Sequence, residues 1–201
     1  LLGLGLSYKI SRNIELYSNI SENYRSVTFA DISISNPAYS ISPEISDENG
    51  FTFDIGLRGD YLKKVSFDVG FFSLFYDDRI GFVQKAYSDG RVKSEKGNVG
   101  NAVIYGLESL IDFDLNEMFI KNNDLSMNFF VNSSLISSEY TESEVPGVNG
   151  REVEFVPNLN FKSGLKFGLK NLVMNLQYTY LSKQFTDASN ANDGNLSGVI
   201  G

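Results

Sequence analysis

The chain has 201 residues, a formal net charge of −8 at pH 7, and neither cysteine nor histidine. Without cysteine it has no disulfide framework and no thiolate metal site. Without histidine it lacks the commonest general base and the commonest metal ligand, which argues against hydrolase triads and zinc centres. An acidic chain with no basic stripe also argues against a nucleic-acid partner. We therefore predict no catalytic residues, no metal site and no cofactor.

Eight segments of the chain alternate apolar and polar residues with a period of two, which is typical of strands that have one apolar face. They lie at about residues 2–10, 14–21, 51–58, 65–87, 103–115, 125–135, 158–169 and 172–183. None of them contains the about 18 consecutive apolar residues that a membrane helix needs. The pattern predicts an all-β fold with no helix of normal length.

The connections between these strands are alternately short and long. The short ones lie at about residues 11–13, 60–64, 116–124 and 170–171, and the long ones at about 26–49, 88–100, 141–155 and 186–201. Bacterial outer-membrane barrels have this arrangement, with tight periplasmic turns and longer outer loops. Charges, amides and glycines on the polar face favour a wet lumen, although a soluble β-sandwich would also alternate. The fold class predicted is an antiparallel transmembrane β-barrel segment.

The phase of the connections also orients the strands. If the short turns are periplasmic, the chain begins and ends outside, whereas a complete small barrel is expected to begin and end at the periplasmic side. Eight strands alone would also leave two open edges, which lipid does not tolerate. The strands are therefore expected to be consecutive members of a larger barrel. The segment at residues 65–87 exceeds the about 9–11 residues of a membrane crossing, so its end is expected to project outward.

Five segments of the chain, in this order, carry a further pattern. They are YSNISENYRSVTF at 17–29, ENGFTFDIGLRG at 48–59, NVGNAVIYGLE at 98–108, the hairpin at 156–178, and FTDASNA at 185–191. Together they resemble the strands of TonB-dependent outer-membrane receptors, although Asp54 stands where that family usually has glutamate. The last segment is similar to a loop motif of the ferric citrate receptor branch.

The resemblance implies a barrel of about 22 strands, plugged by an N-terminal domain, that imports iron chelates with energy from the TonB complex. Residues 1–201 would be part of this one barrel domain, and the plug domain and the final strands would lie outside them. The implied partners are a ferric chelate, the TonB complex acting through the plug region, and outer-membrane lipid. The implied location is the bacterial cell outer membrane.

The substrate predicted on this resemblance is ferric dicitrate, and other siderophores, cobalamin or a glycan are the alternatives within transport. From other classes, a soluble β-rich binding or adhesion module and a self-contained eight-stranded barrel with structural or enzymatic duties stay open. An enzymatic function is the weakest of these alternatives, because the chain has no histidine.

Ferric citrate is an anion, so a site for it needs arginine or lysine side chains near the outer mouth. Arg25 lies at the top of a strand that faces the longest loop, and Arg79 lies on the overlong strand. Arg91 and Arg151 lie in outer loops. These four arginines are the predicted substrate-binding residues, and each of them could instead be a solubilising surface charge.

Overall fold

The computed structural model describes residues 1–33, 36–121, 124–191 and 193–194. Its strands are β1 (Gly3–Lys9), β2 (Ile14–Arg25), β3 (Tyr39–Ile41), β4 (Glu48–Tyr61), β5 (Val65–Ala86), β6 (Val92–Asp114), β7 (Leu125–Glu142), β8 (Leu159–Leu169), β9 (Leu172–Leu181), β10 (Gln184–Phe185) and β11 (Asp193–Gly194). A helical turn, α1 (Phe29–Ile32), and a π-helical turn at Asn116–Ile120 complete the elements. No helix in the described ranges is long and apolar enough to cross a membrane.

The main sheet has the strand order β1-β2-β4-β5-β6-β7-β8-β9, in which each strand pairs antiparallel with the next. The eight predicted strands and their order are therefore confirmed. In the part of the chain that the structure describes, no ladder joins β1 to β9. The sheet is thus open, with these two strands at its edges.

The two faces of the sheet differ in polarity. One row of cross-strand partners consists of Ile55, Phe71, Leu107 and Leu135. The adjacent row, on the opposite face, consists of Gly56, Gly70, Glu108 and Ser134. Leu107 is 55% exposed and Leu135 is 56% exposed, and apolar side chains on every long strand share this face. A continuous exposed apolar face of this extent is rare in soluble monomers and typical of the lipid-facing side of a barrel.

The prediction of a long loop at residues 88–100 is wrong. Strand β6 begins at Val92 and pairs with β5 as far as Ala86, so only a short turn remains. Apolar alternation is missing here because both faces of this hairpin carry ion pairs instead of contacting lipid. Glu95 pairs with Lys85, and its neighbour Lys96 pairs with Asp31 of the first long loop. We call residues 79–100 the extended hairpin, because here β5 and β6 continue beyond their pairing with β4 and β7.

The other long connections contain more structure than predicted. The first contains α1 and β3, and β3 pairs parallel with the extended hairpin through β6. The third leaves β7 after Glu142 and reaches β8 at Leu159. In the last, β10 pairs with β11. Of the predicted loop at 186–201, residues 192 and 195–201 lie outside the described residues.

A small hydrophobic core lies at the long-loop end of the sheet. Its buried members are Val99, Ala102, Ile104, Tyr140, Val148, Val153 and Ala188. They come from β6, from β7, from the loop at 143–158 and from the segment after β10. Since these loops fold back onto the polar face of the sheet, they give fixed positions to the side chains at this end.

Candidate ligand-binding site at the long-loop end

The extended hairpin exists because β5 and β6 have 22 and 23 residues, against the about 9–11 that cross a membrane. Register shifts on either side of Arg79 interrupt the ladder between them, and Asp78 has a φ of 55°. Bulges of this kind bend a strand and redirect its side chains. Asn98 holds the bulge by donating a hydrogen bond of 2.6 Å to the carbonyl of Asp78. The guanidinium of Arg79 consequently lies over the ring of Tyr76, 5.8 Å from its centroid.

Three side chains form a buried cluster at this point, which we call the Arg79 cluster: Arg79, Tyr140 and Glu154. Arg79 Nη1 lies 2.7 Å from Glu154 Oε1 and 3.0 Å from Tyr140 Oη. Tyr140 Oη donates a bond of 2.8 Å to Glu154 Oε2. Tyr140 is 0% exposed and Glu154 1% exposed. Burial, together with the adjacent Glu154 carboxylate, outweighs the opposing charge of Arg79 and raises the pKa of the Tyr140 hydroxyl, which is therefore a donor at neutral pH and well above it.

The backbone of the extended hairpin approaches this cluster closely at Gly81. A Cβ at that position would lie 2.3 Å from Glu154 Oε1 and 2.9 Å from Tyr140 Oη. Neither partner can move into solvent, because both are buried. Glycine at position 81 therefore makes room for the carboxylate of Glu154 against the hairpin.

A second cluster, the Asp31 cluster, attaches the first long loop: Arg25, Asp31, Glu48 and Lys96. Asp31 Oδ1 lies 2.6 Å from Arg25 Nη2 and 2.7 Å from Lys96 Nζ. Burial alone would raise the pKa of Asp31, but hydrogen bonds from Lys96 and Thr28 outweigh it and hold that pKa well below its ordinary value. Asp31 is therefore charged at neutral pH and neutralised by two cations.

Glu48 connects the Asp31 cluster to the backbone of the extended hairpin. Its Oε2 lies 3.5 Å from Arg25 Nη1 and accepts a hydrogen bond of 2.8 Å from the backbone N–H of Ile80. Ile80 follows Arg79 directly in the extended hairpin. Arg25 and Arg79, two of the four predicted ligand residues, thus lie in separate clusters at the same part of the hairpin, and both are paired with carboxylates.

The other two predicted residues are exposed. Arg91 lies in the turn of the extended hairpin, 72% exposed, and its Nε donates a hydrogen bond of 2.7 Å to Asp89. That bond lowers the pKa of Asp89. Arg151 lies in the loop at 143–158 and donates a bond of 3.3 Å to the carbonyl of Gly147. Within the described ranges no carboxylate lies within ion-pair distance of Arg151, so its charge is available to a ligand.

Sequence reasoning missed the carboxylates that neutralise the arginines. Asp31 has a local signal, since Thr28 and Asp31 form a capping box at the start of α1. Glu154 has no local sequence signal, because its partner Arg79 is distant in the chain and only the fold brings them together. Tyr140 stands near the end of an amphipathic strand, where the sequence does not distinguish a buried hydrogen-bonding tyrosine from an aromatic-girdle residue.

The exposed apolar face, the polar opposite face and the separation of short turns from long loops define a class: the wall of a membrane-spanning β-barrel with an elaborated outer mouth. Over residues 3–199 the chain matches the family described as TonB dependent receptor-like, beta-barrel, and it belongs to that family. Its members are receptors and transporters, not enzymes. The predicted barrel segment is confirmed as a partial barrel.

Solved structures with this fold include the ferric citrate transporter FecA, with a TM-score of 0.67, 19% identity and 94% of this chain covered. The ferric yersiniabactin uptake receptor FyuA from Yersinia pestis has a TM-score of 0.66, 17% identity and 95% coverage. The copper transporter OprC has a TM-score of 0.70, 14% identity and 98% coverage.

The chain spans 26%, 27% and 29% of the length of FecA, FyuA and OprC, respectively. At these identities the similarity establishes the fold alone. No curated protein matches the chain.

Proposed function

We propose that residues 1–201 form part of the wall and mouth of a bacterial outer-membrane receptor that imports an iron chelate, and that the chelate is ferric dicitrate. The observation that carries this proposal is the position of Arg151. It is an exposed guanidinium at the long-loop end of a membrane barrel, with no carboxylate partner among the described residues. Such a group is suited to an anionic, oxygen-rich ligand, because guanidinium binds carboxylates with paired hydrogen bonds.

The four predicted arginines then take different parts. Arg151 and Arg91 are exposed and are proposed as direct ligand contacts. Arg25 is half-buried and already paired with carboxylates, so its proposed contribution to ligand binding is smaller. Arg79 is neutralised by Glu154 inside the protein, and its proposed part is to hold the mouth in shape.

The remainder of the transport machinery is proposed to lie outside residues 1–201. On this proposal a plug domain closes the barrel, the final strands complete it, and the TonB complex supplies energy through the plug. The short-turn end would face the periplasm and the apolar face would contact outer-membrane lipid. Receptors for a different siderophore, cobalamin, copper or a glycan share this architecture, and the charge at the mouth is what favours an anionic chelate.

Uptake by the full-length receptor tests this proposal. Cells that express it as their sole receptor for ferric dicitrate are supplied with radiolabelled ferric dicitrate, with and without a functional TonB complex. We expect uptake that requires both the receptor and TonB, and that excess unlabelled ferric dicitrate suppresses. Uptake of another chelate in place of ferric dicitrate would reassign the substrate. Receptor-dependent uptake that persists without TonB would contradict the proposed mechanism.

A further inference from the structure

The loop at 143–158 is attached to the barrel on both sides of Arg151. At Arg151 itself, the backbone N–H of Tyr140 donates to the Arg151 carbonyl at 2.9 Å, and just before it the N–H of Gly150 donates to the carbonyl of Tyr140 at 2.9 Å. On the C-terminal side, the carboxylate of Glu154 enters the Arg79 cluster. Arg151 itself thus lies between two buried anchors while its side chain is exposed.

A neighbouring segment reinforces the same part of the loop. The side chain of Asn190 accepts a bond of 2.9 Å from the N–H of Glu152 and donates one of 2.8 Å to its carbonyl. The N–H of Phe155 donates to the carbonyl of Phe185 at 2.9 Å. The side chain of Val153 is completely buried between these bonds. Residues 152–155 therefore have few alternative positions.

We infer that the Arg79 cluster is a positioning device for ligand recognition: it fixes Arg151 at the mouth of the receptor by tying its loop to the extended hairpin. The recognition role of Arg151 rests on the proposed function. The attachment of the loop by the cluster does not depend on that function. Arg79, Tyr140 and Glu154 act on the ligand through Arg151 and do not contact it.

The physical basis is the cost of separating the cluster. Opening the loop withdraws the Glu154 carboxylate from Arg79 and exchanges their short ion pair for contacts with water. Removing the carboxylate while the loop stays closed would leave a largely buried guanidinium unpaired, which is strongly unfavourable. Opening also removes the acceptor of the buried Tyr140 hydroxyl. Since the three side chains have no unpartnered buried polar atom in the closed arrangement, the attached loop is the favoured state.

Trypsin provides a direct readout, because it cleaves after arginine only where the backbone can open. Full-length receptor in the outer membrane of intact cells is digested, and cleavage after Arg151 is quantified by mass spectrometry. Cleavage after Arg91, in the exposed turn of the extended hairpin, normalises for the amount of receptor accessible at the cell surface. For Glu154→Gln we expect cleavage after Arg151 to accelerate about tenfold or more, with cleavage after Arg91 unchanged.

Two further variants make this result specific. Gly81→Ala keeps all three side chains of the cluster but places a methyl group against Glu154, so it should also accelerate cleavage after Arg151. Glu95→Gln removes a carboxylate from the same hairpin, paired with Lys85 at 2.6 Å, without touching the loop. It should leave that cleavage unchanged. Unaltered cleavage in both Glu154→Gln and Gly81→Ala, or equal acceleration in Glu95→Gln, would overturn the inference.

Binding of ferric dicitrate separates this inference from the proposed function. Affinity is measured for the wild type, Glu154→Gln, Arg151→Ala and the double variant. We expect Glu154→Gln to weaken binding several-fold when Arg151 is present and to have no further effect when it is absent. An equal loss in both backgrounds would show that the cluster does not act through Arg151. If none of the four proteins binds ferric dicitrate, the proposed function fails and the trypsin result alone decides whether the cluster fixes the loop.

Discussion

Lys96 Nζ lies 2.7 Å from Asp31 Oδ1, and this ion pair joins the loop that contains α1 to the extended hairpin. Lys96 pairs across the hairpin with Phe82, one residue beyond Gly81, so Lys96 and Gly81 lie on opposite faces. The face at Gly81 contacts Glu154. Two loops therefore hold the extended hairpin, each through a buried carboxylate.

Replacing Asp31 by asparagine should release the first loop. The change leaves Arg25 and Lys96 without their shared carboxylate, and both cations can turn toward water because they are partly exposed. We expect the free energy of local opening to fall by about 2 kcal/mol, less than for a fully buried pair. Hydrogen exchange of residues 28–32 in the full-length receptor measures this. Glu44→Gln, at an exposed position of the same loop, is the matched control, and equal protection in the two variants would contradict the expectation.

The same carboxylate predicts a response to acid. The pKa of Asp31 is lower in the folded protein than in the unfolded chain, so its contribution is complete above the unfolded value and is lost as pH falls through the folded value. Attachment of the loop should therefore be constant near neutral pH and weaken below about pH 4, the ordinary range for aspartate. Exchange at residues 28–32, corrected for the intrinsic pH dependence, should show this loss in the wild type. Asp31→Asn should already show reduced protection at neutral pH and no further transition of this kind.

The two faces of the sheet predict opposite tolerance to charge. Leu107 lies on the exposed apolar face, and Asn132 lies on the polar face of the neighbouring strand. Leu107→Arg should destabilise the full-length receptor in lipid by about 2–4 kcal/mol, whereas Asn132→Arg should change its stability by less than about 1 kcal/mol. Unfolding by denaturant from lipid vesicles measures both. Equal effects would show that the apolar face does not contact lipid.

The sequence predicted those parts of the fold in which a repeating physical environment leaves a repeating pattern. Strands between lipid and a wet lumen alternate strictly, so their number and order could be predicted, as in the hairpin of β8 and β9. The extended hairpin was not predicted from the sequence, because Glu95 and Lys96, on its two faces, are both charged and both paired. A strand without an apolar face has the composition of a loop.

The candidate site was predictable only in part. Arg91 and Arg151 could be placed at the mouth, since the phase of turns and loops places their connections at that end. The neutralisation of Arg79 could not be predicted from the sequence, because Glu154 lies in a loop whose course depends on packing by Val148 and Val153. An isolated acidic residue in a polar loop looks solvated until the fold supplies its partner.

The most direct test of the central claim is the affinity of purified full-length receptor for ferric dicitrate, measured for the wild type and for Arg151→Ala. Arg12→Ala, an exposed arginine in the turn between β1 and β2, is the matched control. We predict that Arg151→Ala weakens binding about tenfold or more, since a hydrogen bond to a charged group is worth about 1.5–3 kcal/mol, and that Arg12→Ala leaves it unchanged. Wild-type affinity in Arg151→Ala, or no binding by any of the three proteins, would contradict the account.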